Sequence, residues 1–362
     1  MKQRYFLYLL TMVGLTFVCS SYINKTGSAQ KAGETADYIK SIDSLLKTSL
    51  PRPFNGVVLI TKNGKQLYKK AVGYADFSKK TPLTLRDNFR IQSNSKQITA
   101  VLVLKEIEKG SIKLDQPIRQ YLPDLKQSWA DTVTVHQLLN MSAGLVHLEK
   151  PLSFKPGTGF HYSNPAYGLL GLLIEKTTGK TYIEAANSLF KELGMLNTFC
   201  YEMEKSNKGL VNGYWRTNDS LELVDFKSMN FTNESWTNFI PAGGIISNAL
   251  DLNTWDTKLH SGKILQPGSY TAMVNSGIVD EDYTFSAQKS NYGYGVNINE
   301  GSPHKYIGHA GRGIGFVSLK IYVPAKDLDI IILENVYNRD VSIVYHFEKS
   351  IRQIVMNSSL VK

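Results

Sequence analysis

The segment GVVLITKNGKQLYKKAV, residues 56–72, constrains the fold of this chain most. Two strand-like runs flank Asn63-Gly64, a dipeptide that supplies the positive φ angles of a two-residue hairpin turn. A hairpin cannot bury its own apolar faces, so it needs further strands and a covering layer. The chain offers those strands only near its other end, in YGYGVNI, FVSLKIYV and DIIILENV. Both ends therefore belong to one antiparallel sheet, with whatever lies between them inserted as a separate block.

Helices complete the layout. Ile39, Ile42, Leu45 and Leu46 recur at helical spacing between Asp37 and Leu50, and Pro51 and Pro53 end that pattern. SIVYHFEKSIRQIVM reads as a last amphipathic helix. Residues 111–275 are mainly helical segments and turn-rich loops, among them LLGLLIEKTTGK and TYIEAANSLFKELG. The expected fold is α+β, an α/β sandwich. Its sheet subdomain takes in about residues 37–90 and 276–360, and its helical subdomain about 91–275, all within one domain of residues 30–360. With 362 residues, 42% hydrophobic and 20% charged, the chain can bury a full core.

Residues 1–29 read as a signal peptide and short leader. Lys2 and Arg4 precede an apolar run from Tyr5 to Val18, followed by Cys19, Ser20 and Ser21, with cleavage after Ser21 or after Ala29. The run is too short to span a bilayer as a mature helix. The expectation is an exported protein, periplasmic or secreted. Cys19 raises the alternative of a lipid anchor, against which Thr16, Phe17 and Val18 make a poor lipobox. After cleavage Cys200 has no partner for a disulfide, and between Phe199 and Tyr201 it reads as a small buried hydrophobe. The net charge of +10 includes Lys2, Arg4 and Lys25 of the leader, and the other cations are scattered. That pattern is a solvated surface with at most an attraction to anionic envelope polymers, and it does not point to nucleic acid.

Chemistry concentrates in three places. FRIQSNSKQITAVLVLKEIEKG opens a helix that Gly110 can terminate, and it holds Ser93 and Lys96 three residues apart. Ser-x-x-Lys occurs seven times, beginning at Ser28, Ser44, Ser93, Ser188, Ser286, Ser302 and Ser359, so spacing alone selects nothing. A serine nucleophile needs a base beside it, and a lysine serves only when partly neutral. Burial and the partial positive charge of a helix N-terminus both favour that state. The strand-to-helix setting of Ser93 suits this, and backbone N–H groups left unpaired in the first turn could bind an oxyanion. The competing reading makes Ser93 a helix cap and Lys96 a solvated side chain. FHYSNPAYGLLG places Tyr162 and Asn164 in a turn before a helix, and IGHAGRGIGFVS places His309, Gly311 and Arg312 on or beside a strand.

In this order, Ser93-x-x-Lys96, Tyr162-Ser163-Asn164 and His309-Ala310-Gly311 resemble the three-motif signature of the serine β-lactamase and penicillin-binding protein superfamily. The Tyr-x-Asn form is similar to the class C β-lactamase and DD-peptidase-like branch. VHQLLNMSAGL, KPGTGFHYSN and PAGGIISNALDL resemble further stretches of that branch, and the likeness runs roughly from Asn55 to Asn335.

The resemblance implies a β-lactamase/transpeptidase-like fold and assigns the roles. Ser93 would form an acyl-enzyme, Lys96 would take its proton, and Tyr162 would relay a proton to the leaving group and help activate water. Asn164 would orient the substrate amide, and His309 would tune Tyr162 and the substrate anion electrostatically. The N–H groups of Ser93 and Arg312 would form the oxyanion hole. Ala310, where threonine is frequent, and Arg312, where a small residue is frequent, depart from the pattern, and His309 in place of lysine leans toward peptidase or esterase members. The implied substrates are small molecules or peptidoglycan peptides: D-Ala-D-Ala peptides, β-lactams, short esters or D-amino-acid amides. A catalytically idle receptor for penicillin or wall peptides is the alternative on the same scaffold. No specific protein partner is implied, and the expected state is a monomer.

Other chemistry fits poorly. Asn140 to Gly144 resembles a nucleophile elbow around Ser142 but lacks its first glycine. No His-Glu-x-x-His occurs, the seven histidines are dispersed, and the glycines of GHAGRGIG precede a strand, not the helix of a dinucleotide loop. Neither a metal nor a cofactor is expected.

Overall fold

Asn63 and Gly64 take φ angles of +50° and +70°, joining strand Gly56–Lys62 to strand Lys65–Val72 in the tight turn that the sequence requires. The structure is a computed structural model that describes residues 29–362 except 204, 206, 208, 276, 281–289 and 302–303. The leader with Cys19, and the Ser-x-x-Lys matches at Ser28, Ser286 and Ser302, thus lie outside the described residues.

One eight-stranded sheet organises the molecule. Its order is Ile278–Asp280, Ser290–Tyr292, Asn297–Asn299, Tyr306–Gly313, Phe316–Val323, Leu328–Glu334, Gly56–Lys62 and Lys65–Val72. Neighbouring strands are antiparallel throughout. The first strand pairs with the last long one in the register Val57↔Leu333, Val58↔Ile332 and Leu59↔Ile331. Both faces are covered, so both alternating sets of side chains are apolar. Val57, Leu59, Ile331 and Leu333 face the helical block, while Val58, Ile60, Ile330 and Ile332 face Ile42, Phe347, Ile351 and Val355 of the terminal helices. The fold is α+β, as the hairpin and the returning strands demand.

Two elements differ from expectation. YGYGVNI is not one strand: Ser290–Tyr292 and Asn297–Asn299 are separated by a turn in which Gly295 has φ +67°. A Cβ on Gly295 would lie 2.5 Å from the Lys96 carbonyl oxygen, so this turn is pressed against the helix that carries Lys96. The last helix begins at His346, later than its apolar periodicity predicts. The residues just before it form a turn that brings Tyr345 to the edge of the cleft described next.

Candidate active site

The turn that carries Ser93 is built by long-range hydrogen bonds. The short strand Phe89–Arg90 pairs with Ile245–Ser247, and the chain then reverses at Gln92, whose φ is +51°. A non-glycine residue in that region is strained and must be held by its surroundings. Gln92 Nε2 donates to the Gly313 carbonyl at 2.7 Å. Asn94 Nδ2 donates to Ser318 Oγ at 2.9 Å, and Ser318 Oγ donates to the Ile91 carbonyl at 2.8 Å. Helix Ser95–Glu108 follows, with Asn94 in the capping position and no side-chain cap bond. Ser93 therefore does not cap this helix, and its hydroxyl lies 3.2 Å from Lys96 Nζ.

Lys96 is fully buried, whereas the lysines of the described matches Ser44–Lys47, Ser188–Lys191 and Ser359–Lys362 are exposed. Burial pushes the Lys96 ammonium well below the usual lysine range. Its Nζ donates to Asn164 Oδ1 at 2.8 Å and to the Ala242 carbonyl at 2.7 Å. A neutral lysine has two N–H donors and one lone pair. The two shorter contacts, both to pure acceptors, use the donors and leave the lone pair for the Ser93 hydroxyl. That is the arrangement of a general base beside its nucleophile.

Tyr162 and Asn164 arrive on a capped turn. Ser163 Oγ accepts from the Ala166 N–H at 3.1 Å, and Pro165 stands in the first turn of helix Asn164–Thr178. The Tyr162 ring centroid is 4.7 Å from Lys96 Nζ, and the side chain is 39% exposed, open to a substrate. With Asn164 Oδ1 engaged by Lys96, its amide NH2 is the half that can meet a substrate carbonyl.

His309 is buried, with its ring centroid 6.1 Å from that of Tyr162. Nδ1 lies on the Ala310 carbonyl, which can only accept, so Nδ1 carries the proton. Nε2 then accepts from the Tyr292 hydroxyl at 3.0 Å. Burial, and secondarily the charge of Lys96, push the imidazole down to about 3. The larger cause does not depend on Lys96, so at neutral pH His309 is an uncharged, doubly hydrogen-bonded ring. The electrostatic role expected of it is not that of a cation.

Ser93, Tyr162, Asn164, His309 and Arg312 line a common cleft of about 290 Å³, with Phe160, Asp280, Asn297, Ala310 and Tyr345. Arg312 is exposed, and its guanidinium lies 5.7 Å from the Tyr345 ring centroid. Gly311 does not line the cleft. A Cβ there would lie 2.6 Å from Ser318 Oγ and 2.7 Å from the Ile91 carbonyl, so Gly311 lets its strand lie directly on the turn that carries Ser93. Sequence reasoning missed Asp280, Asn297, Tyr292 and Tyr345. Only Tyr292 carried a signal, the aromatic-glycine alternation of YGYG. Ser142 is buried, and its hydroxyl donates to Asn140 Oδ1 at 2.7 Å within a turn, a structural role. Cys200 is buried, and burial raises its thiol well above the usual range.

The chain is similar to known proteins along most of its length. A putative penicillin-binding protein of Bacillus subtilis, PbpX, is 25% identical over 338 residues, covering 87% of this chain and 79% of that protein. Protein flp of Staphylococcus aureus is 25% identical over 330 residues, 83% of this chain, and the match spans 64% of its own length. D-amino acid amidase from Ochrobactrum anthropi superposes with a TM-score of 0.75 at 22% identity, over 89% of this chain and 99% of that one, a likeness of fold. The Beta-lactamase family profile matches residues 52–349, which include every one of the three motifs, and the chain belongs to that family.

Proposed function

We propose that the protein is an exported serine hydrolase that cleaves amide or ester bonds through a Ser93 acyl-enzyme, of the DD-peptidase or esterase type. The observation that carries this reading is the buried Lys96, whose Nζ lies 3.2 Å from Ser93 Oγ and makes two shorter contacts to pure acceptors. Ser93 Oγ attacks the substrate carbonyl carbon as its proton passes to Lys96 Nζ. The oxyanion is received by the N–H groups of Ser93 and Arg312. The bond to the leaving group breaks as Tyr162 relays a proton to it, and the acyl group stays on Ser93. Water then attacks the ester with Tyr162 and Lys96 as the base system, releasing the acid and restoring the serine. The reading further takes the mature chain to be periplasmic or secreted, to begin after Ser21 or Ala29, and to act as a monomer on small molecules or wall peptides.

Intact-mass analysis after exposure to a fluorophosphonate tests the assignment. One adduct is expected on the wild type and none on Ser93→Ala; labelling that persists in the variant overturns it. Turnover of a D-Ala-D-Ala peptide, an amide or a short ester distinguishes an enzyme from an idle receptor, because an enzyme releases many equivalents of product in a Ser93-dependent way and a receptor at most one.

A further inference from the structure

The two N–H groups that receive the oxyanion in this reading sit on different elements. Ser93 lies in the turn Gln92–Asn94, and Arg312 on the strand Tyr306–Gly313. One side chain bridges them. Gln92, directly before Ser93, is buried, and its Nε2 donates at 2.7 Å to the carbonyl of Gly313, directly after Arg312. Gln92 Cβ stands 2.9 Å from where a Cβ on Gly311, directly before Arg312, would lie. The glutamine therefore meets the strand on both sides of Arg312. Backbone strain marks the same contact, since φ is +51° at Gln92 and +48° at Ile314, the residue after Gly313. Side chains are disfavoured in that region, a β-branched one especially, whereas glycine enters it freely. Glycine would serve the turn at position 92 without strain, so the backbone there does not call for glutamine. Strained residues persist where their surroundings over-determine them, and here the amide of Gln92 supplies the bond that does so.

We propose that Gln92 is a positioning residue whose amide clamps the Ser93 turn to the Arg312 strand and so fixes the separation of the two oxyanion donors. It meets no reacting atom and acts through the backbone that flanks each donor. Donors held in place beforehand need no reorganisation as charge develops on the oxygen. This inference rests on the serine hydrolase reading given above and adds the part that presets its oxyanion hole.

Two variants test it. The readout is the rate of Ser93 labelling by an uncharged fluorophosphonate, with circular dichroism reporting that each protein is folded at each pH. Gln92→Gly suits the turn but deletes the clamp, and it is expected to label about 10²-fold more slowly than the wild type, the scale of a misplacement of about 1 Å. Gln92→Glu keeps a side chain of the same length. As a protonated acid it can donate to the Gly313 carbonyl, and as a carboxylate it can only accept. Its rate is divided by the wild-type rate at the same pH, so that the titration of Lys96 cancels. Burial favours the protonated acid, so this ratio is expected to lie near one at about pH 5 and to fall at least about tenfold by about pH 9. The ratio for Gln92→Gly stays low and flat. A folded Gln92→Gly that labels at the wild-type rate overturns the clamp, and so does a Gln92→Glu ratio that does not change with pH. The Gln92→Glu ratio decides alone if Gln92→Gly does not fold. A wild type that is not labelled at Ser93 instead removes the hydrolase reading on which the inference stands.

Discussion

At the scale of single residues, the decisive property is the protonation state of Lys96. Burial lowers its pKa, so the neutral form that can accept the Ser93 proton gains population as pH rises through that lowered value. The rate of Ser93 labelling by an uncharged fluorophosphonate is therefore expected to climb with pH and to level off well below the 10.5 usual for lysine. Lys96→Ala should remove that limb, and Lys96→Ala and Tyr162→Phe should each slow acylation ~10²–10⁴-fold, as loss of an acid–base group does. Stopped-flow labelling across pH checks both, and near-normal rates in both variants would place the chemistry elsewhere. Spacing alone made Ser93 one of seven equal matches. What separates it from the other described ones is the burial of its lysine, which depends on Asn164 and Ala242, 68 and 146 residues away, and is not written in a four-residue pattern. The +51° φ of Gln92 is equally invisible in sequence, because glutamine is not a residue that announces a left-handed turn.

At the scale of elements, the site exists because a strand and a turn touch without an intervening side chain. Gly311 provides that contact, and an added methyl would meet Ser318 Oγ at 2.6 Å and Gln92 Cβ at 2.9 Å. Gly311→Ala is expected to cost about 1–3 kcal/mol of stability, as overpacking does. It should also slow Ser93 labelling by ~10²-fold, because it moves the Arg312 N–H away from the oxyanion by a fraction of an ångström or more. Urea denaturation and labelling rates measure the two effects separately, and a variant with wild-type values in both would show that the strand does not need this approach. The long elements were legible because each repeats one signal: the hairpin at Asn63-Gly64, and helix Asn164–Thr178 stopped by Gly179 at φ +67°. The break in YGYGVNI was not, because a glycine inside an apolar run serves a strand and a turn equally. Only contact with the Lys96 helix decides between them.

At the scale of the whole molecule, the terminal helix packs on the face of the sheet opposite the helical block, yet the turn preceding it contributes Tyr345 to the cleft. A buried arginine ties the two together. Arg52 donates to both Glu334 oxygens, at 2.8 and 2.7 Å, and to the carbonyls of Ile343 and Val344 immediately before Tyr345. Glu348 lies 3.6 Å from the same guanidinium, and burial together with the Glu334 charge push it well above the usual carboxylate range. That direction favours the protonated acid beside the Arg52–Glu334 ion pair. Unequal outcomes are therefore expected for two neutralising substitutions. Arg52→Met strands Glu334 as an unpaired buried charge and releases the Tyr345 turn, and it should cost about 3–5 kcal/mol. Glu348→Gln replaces a neutral acid by a neutral amide that can still donate, and it should cost within about 1 kcal/mol. Urea midpoints of the two variants at pH 7 decide. A Glu348→Gln loss as large as that of Arg52→Met would mean that Glu348 is ionised and that the cluster carries two anions around one cation.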